Sequence, residues 1–568
     1  MMHAHLLKTA CLQMLPVANS LLAVYDPSSA AKLFDQMPLR DHVSWTTIIG
    51  ACVPAQAVAL FRRMLLLDPS IRVDGVVLVV LLRASATLRD ARLVSSLHAT
   101  ATRRGLLPAD VFVANSLVHM YSECLRLRSA RKVFDTIAHK NVVSWNTMLS
   151  GLLHADRCSE ALHLFQSTST GQQQQFVIHV LADATTIAVL LQLCKKLARA
   201  DCCRSLHAFA LRKLLLTSST PLLNALLDAY AKCGLLDYAL SLFHQTPLAD
   251  RNVVTWSTII AACAGSHRPY QAMAFYVAMR QAGQIRPNSI TMLSLLEACT
   301  SRADIRLSRC AHGMVLRNGL ASDLSVGNAI VDMYGKCGDL AASRRVFDSM
   351  PLKDVLSWNS MIGALGMNGR ASDALALIQE MERGGGLKPN KMTLLAVLSA
   401  CAHGRLLQEG VACLQRLARE YSLQPEEAHL TCIADMLARA GDVEGAAKIA
   451  GASGPAAWSA VLSGCRTTTN EIGQEAARRV LELEPGNSAG YLLAAMGIAN
   501  SGGMRRTMKE RGVKVSGAYS MVHVAGEEHK FSSWDGRHRQ RVQVYAMLHL
   551  LHCHMMRKPP PPNTELCN

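Results

Sequence analysis

Small hydrogen-bonding side chains recur in this chain at fixed places. Segments with a shared pattern, roughly one hundred residues apart, each carry a threonine, an asparagine or a serine directly after a tryptophan. Amide and hydroxyl groups both donate and accept hydrogen bonds, so a row of them can recognise the polar edges of a partner. The four residues are Thr46, Asn146, Ser257 and Asn359.

Histidine and cysteine, by contrast, do not form the patterns of a catalytic metal site. A zinc deaminase needs H-x-E and C-x-x-C. None of the twenty-one histidines is followed two residues later by glutamate, and no C-x-x-C occurs. We find neither a glycine-rich phosphate-binding loop nor a nucleophile–base set. The sequence therefore predicts a protein that is not an enzyme and needs no cofactor and no metal. One cluster near the C-terminus could suggest a metal but has no carboxylate partner: His549, His552, Cys553 and His554.

The charge balance points to an acidic partner. Lysine and arginine number 59 and aspartate and glutamate 42, a formal excess of 17 positive charges, and the pI is about 9.3. Such a surface favours a polyanion such as nucleic acid; the alternative is a basic surface that serves only solubility. The eighteen cysteines lack zinc spacing and several recur at matching repeat positions. We interpret them as small buried residues in a reducing compartment. No apolar run is long enough to cross a bilayer.

The elements that must position these residues are repeated helices. Three kinds of segment alternate along the chain: the first type reads NVVSWNTMLSG at Asn141, the second VANSLVHMY at Val113, and the third LLEACTSRADI at Leu295. One third of the period is about 34 residues, the length of one helix–turn–helix unit. A single unit cannot bury its apolar face, so neighbouring units must stack. We predict an all-α fold, a right-handed α-solenoid of helix–turn–helix repeats.

The two ends of the chain depart from this pattern. The first residues match the inside of a repeat, so we expect any targeting peptide to lie upstream or to be missing. Two early units are each four residues shorter than the later ones. That is about one helical turn, and we expect these units to pack less well and to be partly disordered. After about Glu426 the hairpins change, and an alternating segment around Gly526 predicts a small β-hairpin. The proline-rich end predicts an unstructured tail.

Three segments carry a resemblance to a known family. NVVSWNTMLSG with EALHLF, VGNAIVDMYGKCGDLAASRRVFDSMP, and LLAVLSACAHGRLLQEG resemble the alternating motifs of plant pentatricopeptide repeat (PPR) proteins. The resemblance is to the PLS class, in the E/E+ subgroup, without a DYW deaminase domain. It implies a repeat array over 1–426 that starts with a truncated repeat, a partly deleted E domain over 427–512, an E+ extension over 513–550 and a disordered tail over 551–568.

In this family the array binds single-stranded RNA, one nucleotide per motif. The resemblance implies two reading residues per motif, one early in the first helix and one at the motif's last position. An aspartate at the last position only accepts hydrogen bonds, whereas an asparagine also donates, so this residue can discriminate bases. The implied pairs are Asn19 with Asp41, Thr46 with Asp74, Asn115 with Asn141, Asn146 with Asp183, Asn224 with Asn252, Ser257 with Asn288, Asn328 with Asp354, and Asn359 with Asn390.

These pairs imply a preferred RNA site. In chain order they favour U-G-n-Y-U-n-Y-A-n-U-Y-n, where Y is a pyrimidine and n stands for a third-type motif. The alternative is that the polar residues only cap helices or close turns. Their regular absence from the early position of third-type motifs argues against that alternative. The early residues of those motifs are apolar and cannot hydrogen-bond a base through their side chains: Val79, Ala188, Leu293 and Leu395.

The resemblance implies a sequence-specific RNA-binding protein of an organelle, the mitochondrion or alternatively the chloroplast. Relatives with E and E+ segments act as site-recognition factors for C-to-U RNA editing, with the deaminase supplied in trans. The expected partners are single-stranded organellar RNA, a trans-acting cytidine deaminase and other editing-complex proteins, and no membrane. The alternatives are a role in RNA stabilisation, splicing or translation, a protein-interaction scaffold, and a degenerate product of a longer relative.

Overall fold

Helices that follow one another in pairs make up nearly all of the computed structural model. It describes residues 14–67, 73–88, 90–167, 183–216, 219–283, 285–451, 453–465, 471–497, 506–508, 510–513, 519–524, 527–532 and 547. The chain divides into two units, Met1–Cys337 and Gly338–Asn568, and each is described by itself. Within the described ranges, no helix combines the length and the apolar composition needed to span a bilayer.

The first unit holds the helices α1 to α20, together with a short 3₁₀ helix at Leu248–Asp250. We call the first helix of each pair helix A and the second helix B. The helices A of this unit are α1, α3, α5, α8, α10, α12, α14, α16, α18 and α20. The bounds are α1 Leu15–Val24, α2 Pro27–Gln36, α3 His42–Ala51, α4 Pro54–Leu67, α5 Gly75–Leu88, α6 Ala91–Arg103, α7 Leu106–Ala109, α8 Val111–Glu123, α9 Leu127–Thr136, α10 Val142–His154, α11 Cys158–Ser167, α12 Ala184–Lys196, α13 Ala200–Arg212, α14 Thr220–Lys232, α15 Leu236–Gln245, α16 Val253–Gly265, α17 Pro269–Gln281, α18 Ser289–Thr300, α19 Ile305–Arg317 and α20 Leu324–Lys336.

The second unit continues the same alternation and adds two strands. Its helices A are α22, α24, α26 and α28. The bounds are α21 Leu340–Ser349, α22 Val355–Met367, α23 Ala371–Gly385, α24 Lys391–Gly404, α25 Leu407–Tyr421, α26 Glu427–Ala440, α27 Val443–Ala450, α28 Pro455–Gly464, α29 Glu471–Leu483, α30 Ser488–Gly497, β1 Tyr519–Val524 and β2 Glu527–Ser532.

Apolar residues at helical spacing explain why these segments fold as stacked helices. In α10, Trp145, Met148, Leu149 and Leu152 are buried, at intervals of three, four and seven residues. That spacing places all four on one stripe of the helix. Within each unit, every helix A packs against the helix A of the next pair, for example α10 on α12 and α22 on α24. The prediction of an all-α solenoid of stacked helical pairs is confirmed for both units.

The two shortened early units keep a buried aromatic pair, but their helices A contact the next helix A less extensively than most later ones do, so the expectation of weaker packing holds for the helix–helix contact and not for the aromatic pair. Phe34 and Trp45 are 1% and 0% exposed, and their rings meet edge to face with centroids 4.7 Å apart. The helices α1 and α3 have 10 residues where α8 and α10 have 13. All four begin four residues before the predicted early reading residue. The deletion therefore removes residues from the C-terminal end of helix A, beyond the packed aromatic pair.

Near the C-terminus, β1 and β2 pair antiparallel, with Tyr519 opposite Ser532 and Val524 opposite Glu527. The turn at Gly526 that the sequence predicts lies outside the described residues, as do the tail and its cluster of histidines and Cys553. Among the residues that are described, no group of three metal-ligating side chains occurs. The predicted boundary at residue 427 falls inside the second unit, where α24 packs against α26 across it.

The described cysteines are free thiols, and the recurrent ones fill the positions expected of a small hydrophobic residue. Cys194, Cys299 and Cys401 are buried in helices A, and burial raises the pKa of each thiol to about 12. Cys233 and Cys337 are only half-buried. The interpretation as small core residues is therefore confirmed for the third-type motifs and holds only in part for the second type.

Candidate nucleic-acid interface

The last-position residues all lie at the N-terminus of a helix A and cap it. In every one of the eight, the side-chain Oδ1 accepts a hydrogen bond from the backbone N–H three residues later, at 2.8 to 3.0 Å. Helix N-termini leave such N–H groups without partners, and Asp and Asn are preferred there. The alternative that these residues cap helices is thus correct for all eight, and the cap uses the Oδ1 atom of each side chain.

The cap also determines which atom remains for a partner. Because Oδ1 is held by the backbone, the other terminal atom is Oδ2 in aspartate and Nδ2 in asparagine. Oδ2 only accepts hydrogen bonds and Nδ2 only donates them. The capping bond also settles the amide orientation of the asparagines, since only oxygen can accept from the N–H. A capped aspartate and a capped asparagine therefore present opposite hydrogen-bonding groups from the same backbone position.

A buried hydroxyl, which the sequence reading missed, fixes seven of these eight caps. The third residue of the helix is serine or threonine, and its hydroxyl donates to the same Oδ1 at 2.6 to 3.1 Å. All seven are between 0% and 3% exposed. The repeated pattern [DN]-x-x-[ST] was a visible signal of this arrangement. The hydroxyls belong to Ser44, Ser144, Thr186, Thr255, Thr291, Ser357 and Thr393.

The remaining cap, Asp74, is held differently. The third residue of its helix is Val77, which donates only its backbone N–H, at 3.0 Å. A second contact comes from the ring of His42, whose Nε2 lies 3.1 Å from Oδ1 of Asp74. His42 is the first residue of the same motif, so this second contact lies within the same repeat.

The early residues lie on the preceding helix A, beside the cap of their own motif. Nδ2 of Asn19 donates to Oδ1 of Asp41 at 3.1 Å. Nδ2 of Asn359 lies 3.5 Å from Oδ1 of Asn390, a longer contact. In these two pairs the last-position residue lies beside the early residue of the same motif, across adjacent helices A.

Two further pairs are joined through hydrogen bonds. A hydrogen bond from Asn146 reaches Asp183 and contributes to the lowered pKa of that carboxyl. The hydroxyls of Ser257 and Thr291 lie 2.7 Å apart, and Thr291 donates to Asn288 at 2.9 Å, so Thr291 links both members of that pair. The seventh predicted pair falls on either side of the division between the two units: Asn328 is 4% exposed in α20, and Asp354 caps α22.

Four early asparagines hold a buried amide oxygen that has no hydrogen-bond partner within the described residues. Burying an amide oxygen without a partner costs free energy. An apolar residue of similar size would avoid that cost, and third-type motifs do place apolar residues there. Packing alone therefore does not explain these asparagines. The four are Asn115, Asn146, Asn224 and Asn359.

Large apolar side chains stand exposed beside the caps, and the sequence reading missed them as well. In most helices A the second residue is apolar and more than half exposed, from 51% at Val254 to 77% at Phe112. Each lies two residues after a cap. Nothing in the folding of a solenoid requires an exposed apolar row, and such rows mark binding surfaces. The row in the first unit consists of Val43, Val76, Phe112, Val143, Val254 and Ile290, and the second unit has Leu356 and Met392 at the same helix position.

In two third-type motifs, the first residue of helix A contacts the side chain at the motif's last position. The hydroxyl of Ser289, the first residue of α18, donates to Oδ2 of Asp323 at 2.5 Å, and this bond lowers the pKa of the carboxyl. Lys391 likewise forms an ion pair with Glu426. The second carboxylate oxygen of Asp323 is therefore occupied. Oδ2 of Asp183, at the end of a first-type motif, accepts a hydrogen bond from the Thr185 hydroxyl at 2.6 Å in the same way, so the apolar early residues are what set the third-type motifs apart.

The two aspartates with resolved pKa shifts at the interface carry their charge at neutral pH. Burial raises the pKa of Asp41, but hydrogen bonds from Ser44 and Asn19 outweigh it and the pKa lies below its ordinary value. Burial opposes ionisation of Asp183 in the same way, and bonds from Thr185, Thr186 and Asn146 again lower the pKa. Both side chains are therefore acceptors only at neutral pH.

Helical pairs stacked through their helices A, with two facing polar residues per repeat, define a helical-repeat protein with an extended binding surface. Family models agree with this class: the PPR repeat family model matches residues 353–403, and the PPR repeat model matches residues 143–167, 222–246, 254–284 and 328–355. A mitochondrial pentatricopeptide repeat-containing protein of Arabidopsis thaliana is 33% identical over 83% of this chain and 85% of its own length. The chain belongs to the pentatricopeptide repeat family.

Other relatives are longer than this chain. A chloroplastic pentatricopeptide repeat-containing protein of Arabidopsis thaliana is 31% identical over 97% of this chain and 64% of its own length. The chain thus spans about two thirds of the length of several relatives. Among solved structures, that of the pentatricopeptide repeat protein PPR10 from maize is similar with a TM-score of 0.46 and 18% identity, covering 89% of this chain and 84% of that one.

Proposed function

We propose that the chain binds single-stranded RNA in a sequence-specific manner, one nucleotide per motif. The observation that carries the proposal is the pairing across adjacent helices A, in which a capped Asp or Asn lies beside an early Asn, Ser or Thr. The cap holds the last residue in one orientation, and its second terminal atom determines whether the motif offers a donor or an acceptor. The exposed apolar row supplies flat faces against which the bases can pack.

The binding proposal is tested with the RNA U-G-n-Y-U-n-Y-A-n-U-Y-n. We expect it to bind more tightly than a scrambled RNA of equal composition, and more tightly than its own duplex, whose base edges are paired. The excess of 17 positive charges predicts that affinity falls steeply as salt rises, because bound cations are released from the RNA. Equal affinity for the site, the scramble and the duplex would contradict sequence-specific reading.

The biological role we propose is recognition of a C-to-U editing site on an organellar transcript, with the deaminase supplied in trans. The proposal rests on the resemblance to the PLS class with E and E+ segments, and on relatives whose names place them in mitochondria and in chloroplasts. The chain itself is proposed to be non-catalytic. Transcript stabilisation, splicing or translation control would use the same interface without a deaminase.

A plant null line separates these roles. If the chain directs editing, one or a few organellar C-to-U sites are lost in the null line and restored by the full chain. A variant that lacks residues from 427 onward should bind RNA but fail to restore editing, because the E and E+ segments are assigned to recruitment. A replacement capping repeat is needed as a solubility control, because the truncation removes the terminal helices and exposes the apolar surface that they cover. Unchanged editing together with altered transcript abundance would favour stabilisation.

A further inference from the structure

A recurrent cation lies directly before four of the last-position residues and closes the helix that precedes it. Lys140 donates to the carbonyl of Ile137 at 2.8 Å, and Arg251 donates to the carbonyl of Thr246 at 3.0 Å. These carbonyls lie just beyond the last turn of helix B, where backbone acceptors lack partners and a positive charge is favoured. The same arrangement occurs at Arg40, with Phe34, and at Lys353, with Met350, at 3.1 and 3.0 Å.

Each cation also lies over the phenylalanine of an aromatic pair, and Arg251 lies over both rings. The Arg251 guanidinium lies 4.4 Å from the centroid of Phe243 and 5.7 Å from that of Trp256. Phe243 meets Trp256 edge to face at 4.9 Å. Cations are attracted to aromatic faces at such distances, more so when they are partly desolvated. In the other three stacks the cation lies over the phenylalanine, which meets the tryptophan edge to face: Arg40 over Phe34 beside Trp45, Lys140 over Phe134 beside Trp145, and Lys353 over Phe347 beside Trp358.

The cation and the tryptophan of every stack are each followed in the sequence by a proposed reading residue. Lys140 is followed directly by Asn141, the last-position residue of one motif. Trp145 is followed directly by Asn146, the early residue of the next motif. The cation is half-buried, and burial lowers the pKa of Lys140. Asn141 and Asn146 both belong to α10, one as its cap and one in its second turn, so the contact of Lys140 and Trp145 with Phe134 docks the helix that carries both of them against the preceding helix B.

The eight caps divide into two groups by the residue before them. Arg or Lys precedes Asp41, Asn141, Asn252 and Asp354, at the end of second-type motifs. The caps at the end of first-type motifs follow an uncharged residue instead. Three of these residues are buried, Val73, Pro287 and Pro389, and the fourth is Ala182. The caps of both groups make the same hydrogen bond to the helix backbone, so capping does not explain why the cation precedes one group and not the other. The cations occur only where two base-reading motifs follow one another without a third-type motif between them.

We propose that Arg40, Lys140, Arg251 and Lys353 are positioning residues that hold two neighbouring readers at the step between consecutive nucleotides. The proposal rests on the proposed RNA-binding function. It assigns no direct RNA contact to these cations, because helix carbonyls and aromatic rings already engage them. Loss of one cation should loosen base discrimination at two adjacent nucleotides and leave the other nucleotides unaffected.

The test compares Lys140→Met and Arg251→Met in the full-length protein. The probes are the preferred RNA and versions with one base exchanged. For Lys140→Met we expect the affinity ratio between correct and exchanged base to fall about fivefold, at the nucleotides read by Asn115 with Asn141 and by Asn146 with Asp183. Arg251→Met should produce the same loss only at the nucleotides read by Asn224 with Asn252 and by Ser257 with Asn288. Each variant is thus the other's control.

Two further variants separate positioning from charge. Lys140→Arg keeps a cation over Phe134 and should retain discrimination. Lys132→Met removes an exposed charge from α9, the helix that precedes Lys140. It should lower affinity for all RNAs alike without changing discrimination. Full discrimination in Lys140→Met, whether with lower thermal stability or with uniformly weaker binding, would overturn the proposal. If the wild-type protein binds the preferred RNA and the base-exchanged RNAs equally well, the proposed function itself fails, before any variant is compared.

Discussion

The side-chain amide of Asn19 donates to Oδ1 of Asp41 at 3.1 Å, and the hydroxyl oxygen of Ser44 lies 2.7 Å from Oδ1 of Asn19 and 2.6 Å from Oδ1 of Asp41, so the two acceptors share its one hydrogen. One buried serine thus holds an early and a last-position reader together. Ser257, Asn288 and Thr291 form the same kind of cluster on α16 and α18. The readers are therefore ordered by the protein before any ligand arrives, which lowers the entropic cost of binding.

Asn288→Asp tests base reading without disturbing the fold. Aspartate keeps Oδ1 and hence the cap to Thr291, so we expect the melting temperature to stay the same. The exchange replaces the donor Nδ2 by the acceptor Oδ2 and should move the preference at that nucleotide from A toward G. Affinity selection from RNAs randomised at this nucleotide measures the change.

The matched variant Asn288→Ala removes the cap. It should destabilise the protein by about 1 kcal/mol and abolish preference at this nucleotide. A selection in which Asn288→Asp keeps the wild-type preference would show that Asn288 is a cap and does not read a base.

Thr291→Val tests the hydroxyl that links the two readers. Its Oγ1 is 0% exposed and lies 2.7 Å from Ser257 and 2.9 Å from Asn288. Valine keeps the shape and removes both bonds, so stability should fall by about 1 kcal/mol or somewhat more, because the buried Ser257 and the exposed cap Asn288 each lose a hydrogen-bond partner. A double-mutant cycle with Ser257→Ala should give a coupling of at least about 0.5 kcal/mol. Additive effects would mean that the two hydroxyls do not interact.

The exposed apolar row predicts a loss of RNA affinity without a loss of stability. Ile290 is 64% exposed, so Ile290→Ser should leave the melting temperature nearly unchanged. It should weaken single-stranded RNA binding by about 1 kcal/mol if a base packs on this side chain, the low end of the range for stacking. Leu316→Ser is the control: Leu316 is 57% exposed but lies on helix B. Equal RNA affinities of the two variants, measured by fluorescence anisotropy, would remove the row from the interface.

The sequence predicted the parts of this site that depend on local pattern. Helical periodicity reveals the stacked pairs, and the regular Asn, Ser, Thr and Asp positions reveal the residues at and near the caps of the helices A, because both signals repeat every few dozen residues. That these residues read bases stays a prediction. The packing of the shortened units was predicted only in part, because Phe34 and Trp45 stay buried although the helices A are shorter. A length difference says nothing about which end of a helix is lost, and here the lost end lies away from Phe34 and Trp45.

Contacts that cross a turn were not predictable in the same way. Lys140 reaches back to a carbonyl three residues earlier and over Phe134, a geometry that depends on how helix B ends. The exposure of Ile290 and Phe112 depends on which side of helix A faces its neighbours. In each case the residue type is visible in the sequence, but its role follows only from the stacking of one pair on the next.

Three histidine–tyrosine pairs predict a pH dependence of stability in the first unit. The Nδ1 atoms of His98, His207 and His312 lie 2.9, 2.7 and 3.1 Å from the hydroxyl of a tyrosine on the next helix A. Burial lowers the pKa of all three below the ordinary value of 6.5. Between the folded and unfolded pKa values, the unfolded chain therefore binds more protons. Their full contribution to stability is present above the unfolded pKa and is lost as pH falls through the folded pKa.

Calorimetry at a series of pH values measures this effect. The melting temperature should fall between about pH 7.5 and about pH 5.5, and His207→Gln should make that dependence shallower because one titrating group is removed. A His207→Gln profile with the slope of the wild type would show that this histidine does not titrate in that range.

Two glycines of α22 predict opposite effects of the same substitution. A Cβ at Gly366 would lie 2.6 Å from Cβ and 2.9 Å from Cα of Ala400 on α24, closer than packed carbon atoms approach, and the contact includes backbone. Gly366→Ala should therefore push the two helices A apart and cost about 1 to 3 kcal/mol. A Cβ at Gly363 would meet nothing within 4 Å. Gly363→Ala should stabilise the helix by up to about 1 kcal/mol, because alanine loses less backbone entropy than glycine.

Since α22 and α24 carry Asn359 and the cap Asn390, this separation should also change RNA reading. Gly366→Ala should reduce discrimination at the nucleotide assigned to Asn359 and Asn390, whereas Gly363→Ala should preserve it. Urea unfolding and single-base exchange in the RNA measure the two effects in the same preparations. If Gly366→Ala lost stability but discriminated bases as the wild type does, the spacing of the helices A would not control reading, and the pair would have to adjust independently of its scaffold.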